Sequence, residues 1–519
     1  MNTKYHVIIA GAGVAGLYSA LCLPEDVTVL LLSKQKLDVC NSTLAQGGIA
    51  AVYNPPDDDS FNLHYHDSLR AGGFKNNPET LWKLVSDAPR DIERVIGFGV
   101  DFDKDTEGNY HRTLEGGHCR RRIFHYKDSS GNEVTSRLRE QVLARRNITV
   151  MPEAELCNLK CTHTGFSADV LFVGDTAGGG AASGGIIPAN LQGGHHETFD
   201  CAYFILATGG IGRVFERTTN ASIATGDGIC IAYELGAKIK NLSYIQFHPT
   251  AFYDRGGVDN GGAAKPGLRE CFLISESVRG EGAYLINRDG RRFMADYDPE
   301  RMELAPRDVV SHAIISEAKK LSSDEFYLDI SHKPADFIRE HFPAINKFLL
   351  SKGIDMTTDK IPIYPCHHYL MGGINVDVTG QTSVNRLYAC GECAHTGVHG
   401  QNRLASNSLI EALVFGRSCA EQITKRLREK PVNPEKLASY RFLRRYDAKP
   451  IPVGLRTKIR RIMQNACFVF PDMAEVKRGL PEVTRIKEDL ENGNYIVDAN
   501  YVEAKSLATV AYLILREII

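Results

Sequence analysis

The chain opens on a glycine-rich turn between two apolar runs. Residues 6–10 lead into Gly11-Ala12-Gly13-Val14-Ala15-Gly16, which is followed by a helix-like segment and by a second apolar run at residues 27–32. In such a unit the first glycine permits the tight turn, the second lets a pyrophosphate approach the backbone, and the third lets helix and strand pack closely. The helix N-terminus then offers free N–H groups and the positive end of its dipole to the phosphates. Because a strand precedes the motif and a helix follows it, the stretch predicts a Rossmann-like dinucleotide-binding unit.

One part of that pattern is absent. The second strand of such a unit usually ends in an acidic residue that binds a ribose hydroxyl, whereas this chain has Ser33-Lys34 there. The hydroxyl of Ser33 is still able to hydrogen-bond a ribose.

Length and charge exclude several classes of protein. A chain of 519 residues is long enough for two to four domains, and its net charge of −2 does not suggest a nucleic acid or an anionic membrane as partner. There is no apolar run of the length that spans a bilayer, and the start of the chain, which leads directly into the first strand, leaves no room for a signal peptide. We therefore expect a cytoplasmic protein without a membrane partner.

The cysteines indicate neither disulfides nor a metal site. There are 13 of them, scattered along the chain, and the close pair Cys390 and Cys393 has no second pair to complete a cluster. This usage is typical of a reducing compartment. We expect no bound metal and no iron–sulfur cluster.

Three further segments are rich in small or charged residues. Residues 41–50 form either a surface turn or a second loop in contact with the cofactor. Residues 113–125, with three arginines, two histidines and Glu115, are on composition alone typical of a solvated loop. The stretch from Gly174 to Gly194 is predicted to be a flexible hairpin tip between antiparallel strands.

The pattern changes twice along the chain, which suggests its domain organisation. Polar and charged groups become denser after about residue 240, and from about residue 430 Lys, Arg and Glu recur with helical spacing. We predict an α/β protein in which residues 1–240 and 367–428 form a split dinucleotide-binding domain. Residues 241–366 form an inserted α+β capping domain, and residues 429–519 form a C-terminal helical domain.

Several motifs occur in an order that resembles one known family. They are Gly-x-Gly-x-x-Gly, Ala45-Gln46-Gly47-Gly48, Ala207-Thr208-Gly209-Gly210, Gln246-Phe247-His248-Pro249-Thr250, Arg279-Gly280-Glu281-Gly282, Ala305-Pro306-Arg307-Asp308, Gly391-Glu392 and Asn402-Arg403-Leu404-Ala405-Ser406-Asn407-Ser408-Leu409. This series, spread over residues 5–515, resembles the flavoproteins of succinate dehydrogenase and fumarate reductase. The resemblance implies FAD as cofactor, with its flavin ring between the dinucleotide-binding and capping domains.

The glycine-rich unit and the family motifs together give the candidate cofactor-binding residues. They are Gly11, Gly13, Ala15, Gly16, Ser33, Lys34, Ser42, Thr43, Gln46, Gly47, Gly48, Ala207, Thr208, Gly209, Asp227, Glu392, Asn407, Ser408 and Leu409. The histidine that attaches flavin covalently in membrane-bound relatives is replaced by Asn41. The resemblance therefore implies non-covalent FAD.

The resemblance also implies a dicarboxylate substrate, whose two charges the site must neutralise. Arg307 and Arg403 offer planar, bidentate donors to carboxylates. His248, His368 and Ser275 are the candidate hydrogen-bond donors, with His367 as an alternative to its neighbour. Glu276 either orients one of these groups or forms a structural ion pair. Arg307 has the proton-transfer role in the family, but an arginine stays protonated in ordinary sites, so clamping a carboxylate is the alternative.

Two features favour an amino-acid-oxidising branch of the family. Glu115 lies in a segment similar to that branch, and its carboxylate suits an ammonium group, which aspartate has and succinate lacks. Asn41 argues against a membrane complex. The implied reaction is hydride transfer from L-aspartate to flavin, giving iminosuccinate. Oxygen or fumarate would reoxidise the flavin, and a quinolinate synthase would use the product for NAD synthesis. The alternatives are a soluble fumarate reductase and the flavoprotein subunit of a succinate dehydrogenase or fumarate reductase complex.

Overall fold

A computed structural model of the chain describes residues 3–55, 58–172, 194–254, 269–443 and 447–519. The predicted hairpin tip from Gly174 to Gly194 lies, apart from Gly194, outside the described residues. The strands are β1 (Lys4–Ala10), β2 (Val29–Leu32), β3 (Ile49–Ala50), β4 (Arg112–Thr113), β5 (Ile123–Phe124), β6 (Ile148–Met151), β7 (Ala154–Cys161), β8 (Phe166–Phe172), β9 (His195–Leu206), β10 (Arg217–Thr218), β11 (Ile239–Lys240), β12 (Ile245–Phe252), β13 (Arg269–Glu270), β14 (Tyr284–Asn287), β15 (Phe326–Asp329), β16 (Ile361–Leu370), β17 (Gly373–Asn375), β18 (Leu387–Ala389) and β19 (Ala394–His395).

The α-helices fall between and after these strands. They are α1 (Val14–Cys22), α2 (Asn41–Leu44), α3 (Phe61–Ala71), α4 (Pro78–Gly97), α5 (Ser130–Ala144), α6 (Asp227–Glu234), α7 (Glu276–Gly280), α8 (Arg307–Leu321), α9 (Ala335–His341), α10 (Pro343–Ser351), α11 (Asn407–Glu429), α12 (Leu455–Cys467), α13 (Met473–Asn492) and α14 (Ala499–Ile518). Among the described residues, no helix is both long and apolar enough to cross a membrane.

A seven-stranded sheet forms the centre of the dinucleotide-binding fold. Its order is β6-β2-β1-β9-β8-β7, with β18 also paired to β9. Strand β1 runs parallel to both β2 and β9, whereas β7, β8 and β9 are antiparallel. Ile8 packs into the core on one face of β1, and Val7 and Ile9 pack into the core on the other. Burial on both faces explains why β1 is a continuous apolar run rather than an alternating one.

A second sheet carries residues of the inserted segment. Its order is β13-β10-β16-β15-β14, and β12 also pairs with β16. Helices α7 to α10 cover a separate apolar core, in which Ile274, Val310 and Phe326 are fully buried. The predicted domain boundaries stay a prediction. Strand β16 runs across residue 366, and Thr218 of β10, which precedes residue 241, pairs with His367 of β16.

The C-terminal helices pack against the first sheet. Met463 of α12, Val483 of α13 and Leu507 of α14 are buried in the same core cluster as Phe204 of β9. Side-chain caps define where two of these helices begin, since Asp472 accepts from the N–H of Ala474 and Asp498 accepts from that of Tyr501. The predicted α/β fold with a helical C-terminal region is confirmed.

Candidate active site and cofactor cavity

The glycine-rich turn is built for close approach. Gly11 has a φ of +115°, and a Cβ placed there would lie 2.1 Å from the carbonyl oxygen of Ala207. A Cβ on Gly16 would lie 1.8 Å from the carbonyl oxygen of Gly11. The first glycine thus serves the turn and the third serves helix–strand packing, as the sequence predicts. At the start of α1 the N–H of Val14 donates to Ser42 Oγ at 3.2 Å, so the 41–50 segment meets this turn.

A cavity of about 270 Å³ extends from this turn to the second sheet. It brings together the following predicted residues: Gly11, Gly13, Ala15, Ser42, Gln46, Gly47, Gly48, Glu115, Ala207, Thr208, Gly209, His248, Ser275, Glu276, Arg307, His368, Glu392, Arg403, Ser408 and Leu409. Asn41 lines it as well. The interpretation of residues 41–50 as a cofactor loop therefore fits better than a surface turn.

Two predicted cofactor residues point elsewhere. Thr43 Oγ1 lies 3.2 Å from Cys40 Sγ and 3.3 Å from Thr135 Oγ1, on the side of α5. Asn407 is buried, with its amide N–H donating to Ser68 Oγ at 2.9 Å. Neither side chain lines the cavity, although both residues belong to segments that do.

A smaller cavity of about 50 Å³ continues beyond the turn and holds Ser33, Lys34 and Asp227. The ammonium of Lys34 lies 3.0 Å from carboxylate oxygens of Asp227, Glu155 and Glu503. Burial raises the pKa of Glu155 to about 7, against the opposing charge of Lys34. Sequence reasoning missed Glu155. This residue brings an acidic group from β7 into the smaller cavity, where the end of β2 supplies Ser33 and Lys34 instead of an acid.

The two arginines of the larger cavity are joined through one glutamine. Gln246 Oε1 accepts from Arg307 Nη1 at 3.0 Å and from Arg403 Nη2 at 3.1 Å. Arg403 also donates to Ser408 Oγ at 3.2 Å, and its guanidinium lies 4.4 Å from the ring centroid of Tyr369. Burial, together with the nearby charge of Arg307, lowers the pKa of Arg403 to about 10. Arg403 therefore stays charged near neutral pH, and the glutamine fixes the spacing of both guanidinium groups.

Glu276 holds Arg307 from the other side. Arg307 Nε donates to Glu276 Oε2 at 2.6 Å, and Arg279 Nη2 lies 3.6 Å from the same oxygen. Burial acts to raise the pKa of Glu276, but the charges of the two arginines outweigh it, and the pKa lies below its usual value. Glu276 is therefore ionised, and its contacts with Arg307 and Arg279 are compatible with both sequence-based interpretations, an orienting role and a structural ion pair. Gly116 allows this arrangement, because a Cβ there would lie 2.0 Å from Glu276 Oε1.

The histidines are neutral donors. The N–H of Thr250 donates to His248 Nδ1 at 3.2 Å, so the neutral ring carries its proton on Nε2. Among the described side chains, this buried Nε2 has no hydrogen-bond partner. Burial and the charge of Arg307 hold the pKa values of both His248 and His368 well below their usual range. The two rings meet edge to face, with centroids 5.2 Å apart and an angle of 62° between their planes.

A β-bulge decides which of two adjacent histidines faces the cavity. Strands β12 and β16 pair Gln246 with Tyr369 and Phe247 with His367, so His368 is the extra residue between them. A bulge re-aims a side chain, and His368 lines the cavity while His367 is fully buried against Phe215, with ring centroids 5.2 Å apart.

Glu115 lines the same cavity as the two arginines. Its Oε2 accepts from Ser406 Oγ at 2.5 Å, and a Cβ on Gly47 would lie 3.1 Å from its Oε1. Burial raises the pKa of Glu115, the charge of Glu276 adds to this, and the hydrogen bond from Ser406 opposes it. The cavity thus has a carboxylate that takes up a proton more readily than an exposed one.

The segment that carries Glu115 is not a solvated loop, so the expectation from composition is wrong. Arg122 is fully buried and forms ion pairs with Asp59 at 2.8 Å and Asp67 at 2.6 Å. His118 Nε2 lies 2.9 Å from the carbonyl oxygen of Ala405. These contacts link the Glu115 segment to the residues that precede α11.

Sequence reasoning missed several residues of the larger cavity region, among them four polar ones that contact predicted side chains. Gln246 and Ser406 belong to motifs already identified, and Tyr369 adjoins His368, so their positions carried a signal. Thr219, whose Oγ1 lies 2.9 Å from His368 Nδ1, stands in no motif that would have pointed to it.

Ser275, which the sequence analysis predicted as a hydrogen-bond donor to the substrate, lines the cavity. It also caps α7, because its Oγ accepts from the N–H of Ser277 at 3.3 Å.

The residues present fit FAD. The close contacts at Gly11 and Gly16 leave room only for backbone beside the phosphate position at the start of α1. Gln46 Oε1 is buried in the cavity wall and, among the described residues, has no partner. The cavity continues from this turn to the arginine and histidine cluster.

Comparison with known proteins defines the class. The family model described as an FAD binding domain matches residues 6–409. The quinol fumarate reductase of E. coli, at 25% identity, superposes with a TM-score of 0.83 over 99% of this chain and 89% of that one. The fold and the cavity are those of an FAD-binding flavoprotein.

Curated relatives show to which family within this class the chain belongs. The chain is 39% identical to the L-aspartate oxidase of Yersinia pestis over 525 residues, which cover 98% of this chain and 92% of that protein. It is 42% identical to the L-aspartate oxidase of Clostridium acetobutylicum over 423 residues, or 82% and 88% of the two chains. The chain belongs to the L-aspartate oxidase family.

Proposed function

We propose that this protein oxidises L-aspartate to iminosuccinate, with FAD as the hydride acceptor. The observation that carries the proposal is a buried carboxylate, Glu115, in the wall of a cavity that also holds the two linked arginines. Succinate and fumarate offer no cation to such a group, whereas aspartate has an ammonium. A charge-assisted hydrogen bond from that ammonium to Glu115 is shorter and stronger than a neutral one.

The arginines clamp the substrate carboxylates. Gln246 holds Arg307 and Arg403 side by side, so each presents free N–H groups to one end of a dicarboxylate. The Nε2–H of His248 and the ring of His368 add donors that are neutral and so add no charge. Orientation of this kind is worth several kcal/mol of catalysis, since it holds the α-hydrogen in a single direction.

FAD, when bound, accepts the α-hydrogen as a hydride. The other group to leave is a proton of the substrate ammonium, and Glu115 is the base we assign to it. Arg307 is fixed by Glu276 at 2.6 Å, and we assign it to clamping a carboxylate in aspartate oxidation. Asn41, whose amide oxygen accepts from the N–H of Ala221 at 2.8 Å, offers no nucleophile to flavin, so the cofactor is held non-covalently.

Oxygen or fumarate then takes the electrons from the flavin, and the product supplies quinolinate formation and NAD synthesis. A quinolinate synthase is the partner that this pathway requires, and the cytoplasm is the compartment we propose. Fumarate reduction is the second candidate function. It is favoured by the resemblance to E. coli quinol fumarate reductase and by a clamp that suits any four-carbon dicarboxylate.

One experiment tests the first function against the second. The purified holoenzyme is mixed anaerobically with L-aspartate or with succinate, and flavin absorbance is followed. We expect bleaching by L-aspartate and much slower bleaching by succinate. Bleaching by succinate alone would refute aspartate oxidation and support fumarate reduction as the function.

A further inference from the structure

A second cavity lies behind Glu115. It has a volume of about 300 Å³ and shares four lining residues with the cofactor cavity, namely Gln46, Gly47, Gly48 and Glu115. Its other walls come from the segments around His111 and His125 and from the turn between α9 and α10. The carboxylate of Glu115 therefore stands between two cavities.

A chain of hydrogen bonds leads from this second cavity to the surface. His125 is buried, and its Nε2 lies 2.9 Å from Nδ1 of His111, which is exposed. On its other side, His125 Nδ1 lies 3.1 Å from a carboxylate oxygen of Asp103. Two imidazoles in contact, one buried and one at the surface, form an arrangement that passes protons by exchanging tautomers.

The proposed reaction releases a proton beside Glu115, whose side chain is buried. The α-C–H bond breaks with its electron pair, which leaves as hydride to the flavin, and the nitrogen lone pair forms the C=N bond. That lone pair is available only after the ammonium has lost one proton. Each turnover therefore leaves one proton on the base, and the base must lose it before the next substrate binds.

We propose that this proton leaves through the second cavity, from Glu115 by way of water to the carboxylate of Asp103, then through His125 to His111 and the solvent. The inference rests on the proposed aspartate oxidation. A polar space of this size has room for several water molecules. Burial raises the pKa of Glu115, which helps it to take the proton, and lowers that of His125, which helps it to pass the proton on.

Other charges face the two ends of this route. Glu115 is faced by Glu276 from α7, Arg307 from α8 and Arg403 from the segment before α11. His125 is influenced by Asp103, His111 and His341. The remaining charged residues of the cavity wall are Lys104, Lys127, Asp128 and Glu340. A variant that tests the route must therefore leave these charges unchanged.

The test uses His125→Gln and the surface variant His111→Gln in the holoenzyme. We expect kcat with L-aspartate to fall by about tenfold, less than the roughly 10²–10⁴ expected for loss of the base itself. Added imidazole should restore it, and the solvent isotope effect on kcat should rise. Fumarate reduction has no ammonium proton to release, so it should fall less than aspartate oxidation does. The exposed His163→Gln, outside both cavities, is the matched control.

A second measurement does not depend on aspartate oxidation. Succinate brings negative charge towards Glu115, so its binding should draw a proton from solvent, detected with a pH indicator in a stopped-flow instrument. In the wild type this uptake should follow the flavin absorbance change, and in His125→Gln it should lag behind.

The two measurements separate the route from the function. Delayed uptake in His125→Gln, in a protein that does not oxidise aspartate, would support the route and refute the function. Undelayed uptake, or a loss of kcat that imidazole does not restore, would overturn the route even if the wild type oxidises aspartate.

Discussion

Glu115→Gln is the most informative substitution, because it removes a charge while keeping the shape. L-Aspartate and fumarate share two carboxylates, so Arg307 and Arg403 serve both, whereas only the ammonium of aspartate meets Glu115. The variant should therefore lose aspartate oxidation selectively. Fumarate reduction should hold steady or rise, since a carboxylate that repels a dianion has gone.

The size of the effect follows from the surroundings of Glu115. The residue is 6% exposed, and Oε2 is already occupied by Ser406 at 2.5 Å. That leaves Oε1 for the ammonium in a largely desolvated place. A hydrogen bond to a charged group is worth about 1.5–3 kcal/mol, which corresponds to roughly one to two decades in kcat/KM. Because Glu115 is also the assigned base, its loss adds to this, and the total fall in aspartate oxidation should reach roughly 10²–10⁴.

The assay is the ratio of kcat/KM for aspartate oxidation to that for fumarate reduction, measured at one pH for both proteins. Glu276→Gln is the matched control, because Glu276 orients Arg307 at 2.6 Å and its loss should lower both activities. If Glu115→Gln also lowers both equally, Glu115 is structural and the reasoning from the ammonium is refuted.

Three other results should follow from the structure. Arg403→Leu should weaken dicarboxylate binding by about 2–5 kcal/mol with FAD content unchanged, as measured by succinate titration; loss of FAD would make Arg403 structural. Acid precipitation should release all the flavin into the supernatant, because Asn41 offers no attachment point; flavin in the pellet would contradict this. Burial raises the pKa of Glu392 from 4.5 to about 7 in the folded protein. Ionisation of Glu392 therefore lowers the free energy of unfolding of the apoprotein. The full loss is present above about pH 7, and there is none below about pH 4.5. Glu392→Gln should therefore raise the urea unfolding free energy near pH 8 by on the order of 3 kcal/mol and leave it unchanged near pH 4, whereas an equal change at both would refute the cause.

Some features were predictable because their causes are local. The strand, glycine turn, helix and second strand at the start of the chain are contiguous in sequence, and the steric demands at Gly11 and Gly16 arise within that unit. Helical spacing likewise predicted a helical C-terminal region. Motifs separated by hundreds of residues could be assigned to one site only through resemblance, since nothing in Arg307 or Arg403 alone indicates that they meet.

Other features exist only once distant segments pack. Composition favoured a solvated loop around Glu115, but burial of Arg122 against Asp59 and Asp67 makes that segment part of the core. The missing acid after β2 is a similar case, because Glu155 reaches the small cavity from β7. Charge composition cannot reveal either arrangement, since a charged residue is buried only where its partners are supplied by the fold.

The sequence by itself determined the dinucleotide-binding unit, because turn sterics and apolar periodicity act between near neighbours, and its resemblance to a known family supplied the candidate side chains. Only the tertiary structure decided how those side chains are used. The bulge in β16 turns His368 rather than His367 into the cavity, since strand register is set by the partner strand. The contact between Glu115 and Ser406 spans 291 residues of chain. Such a contact depends on how the sheets and helices pack, and no local pattern encodes it.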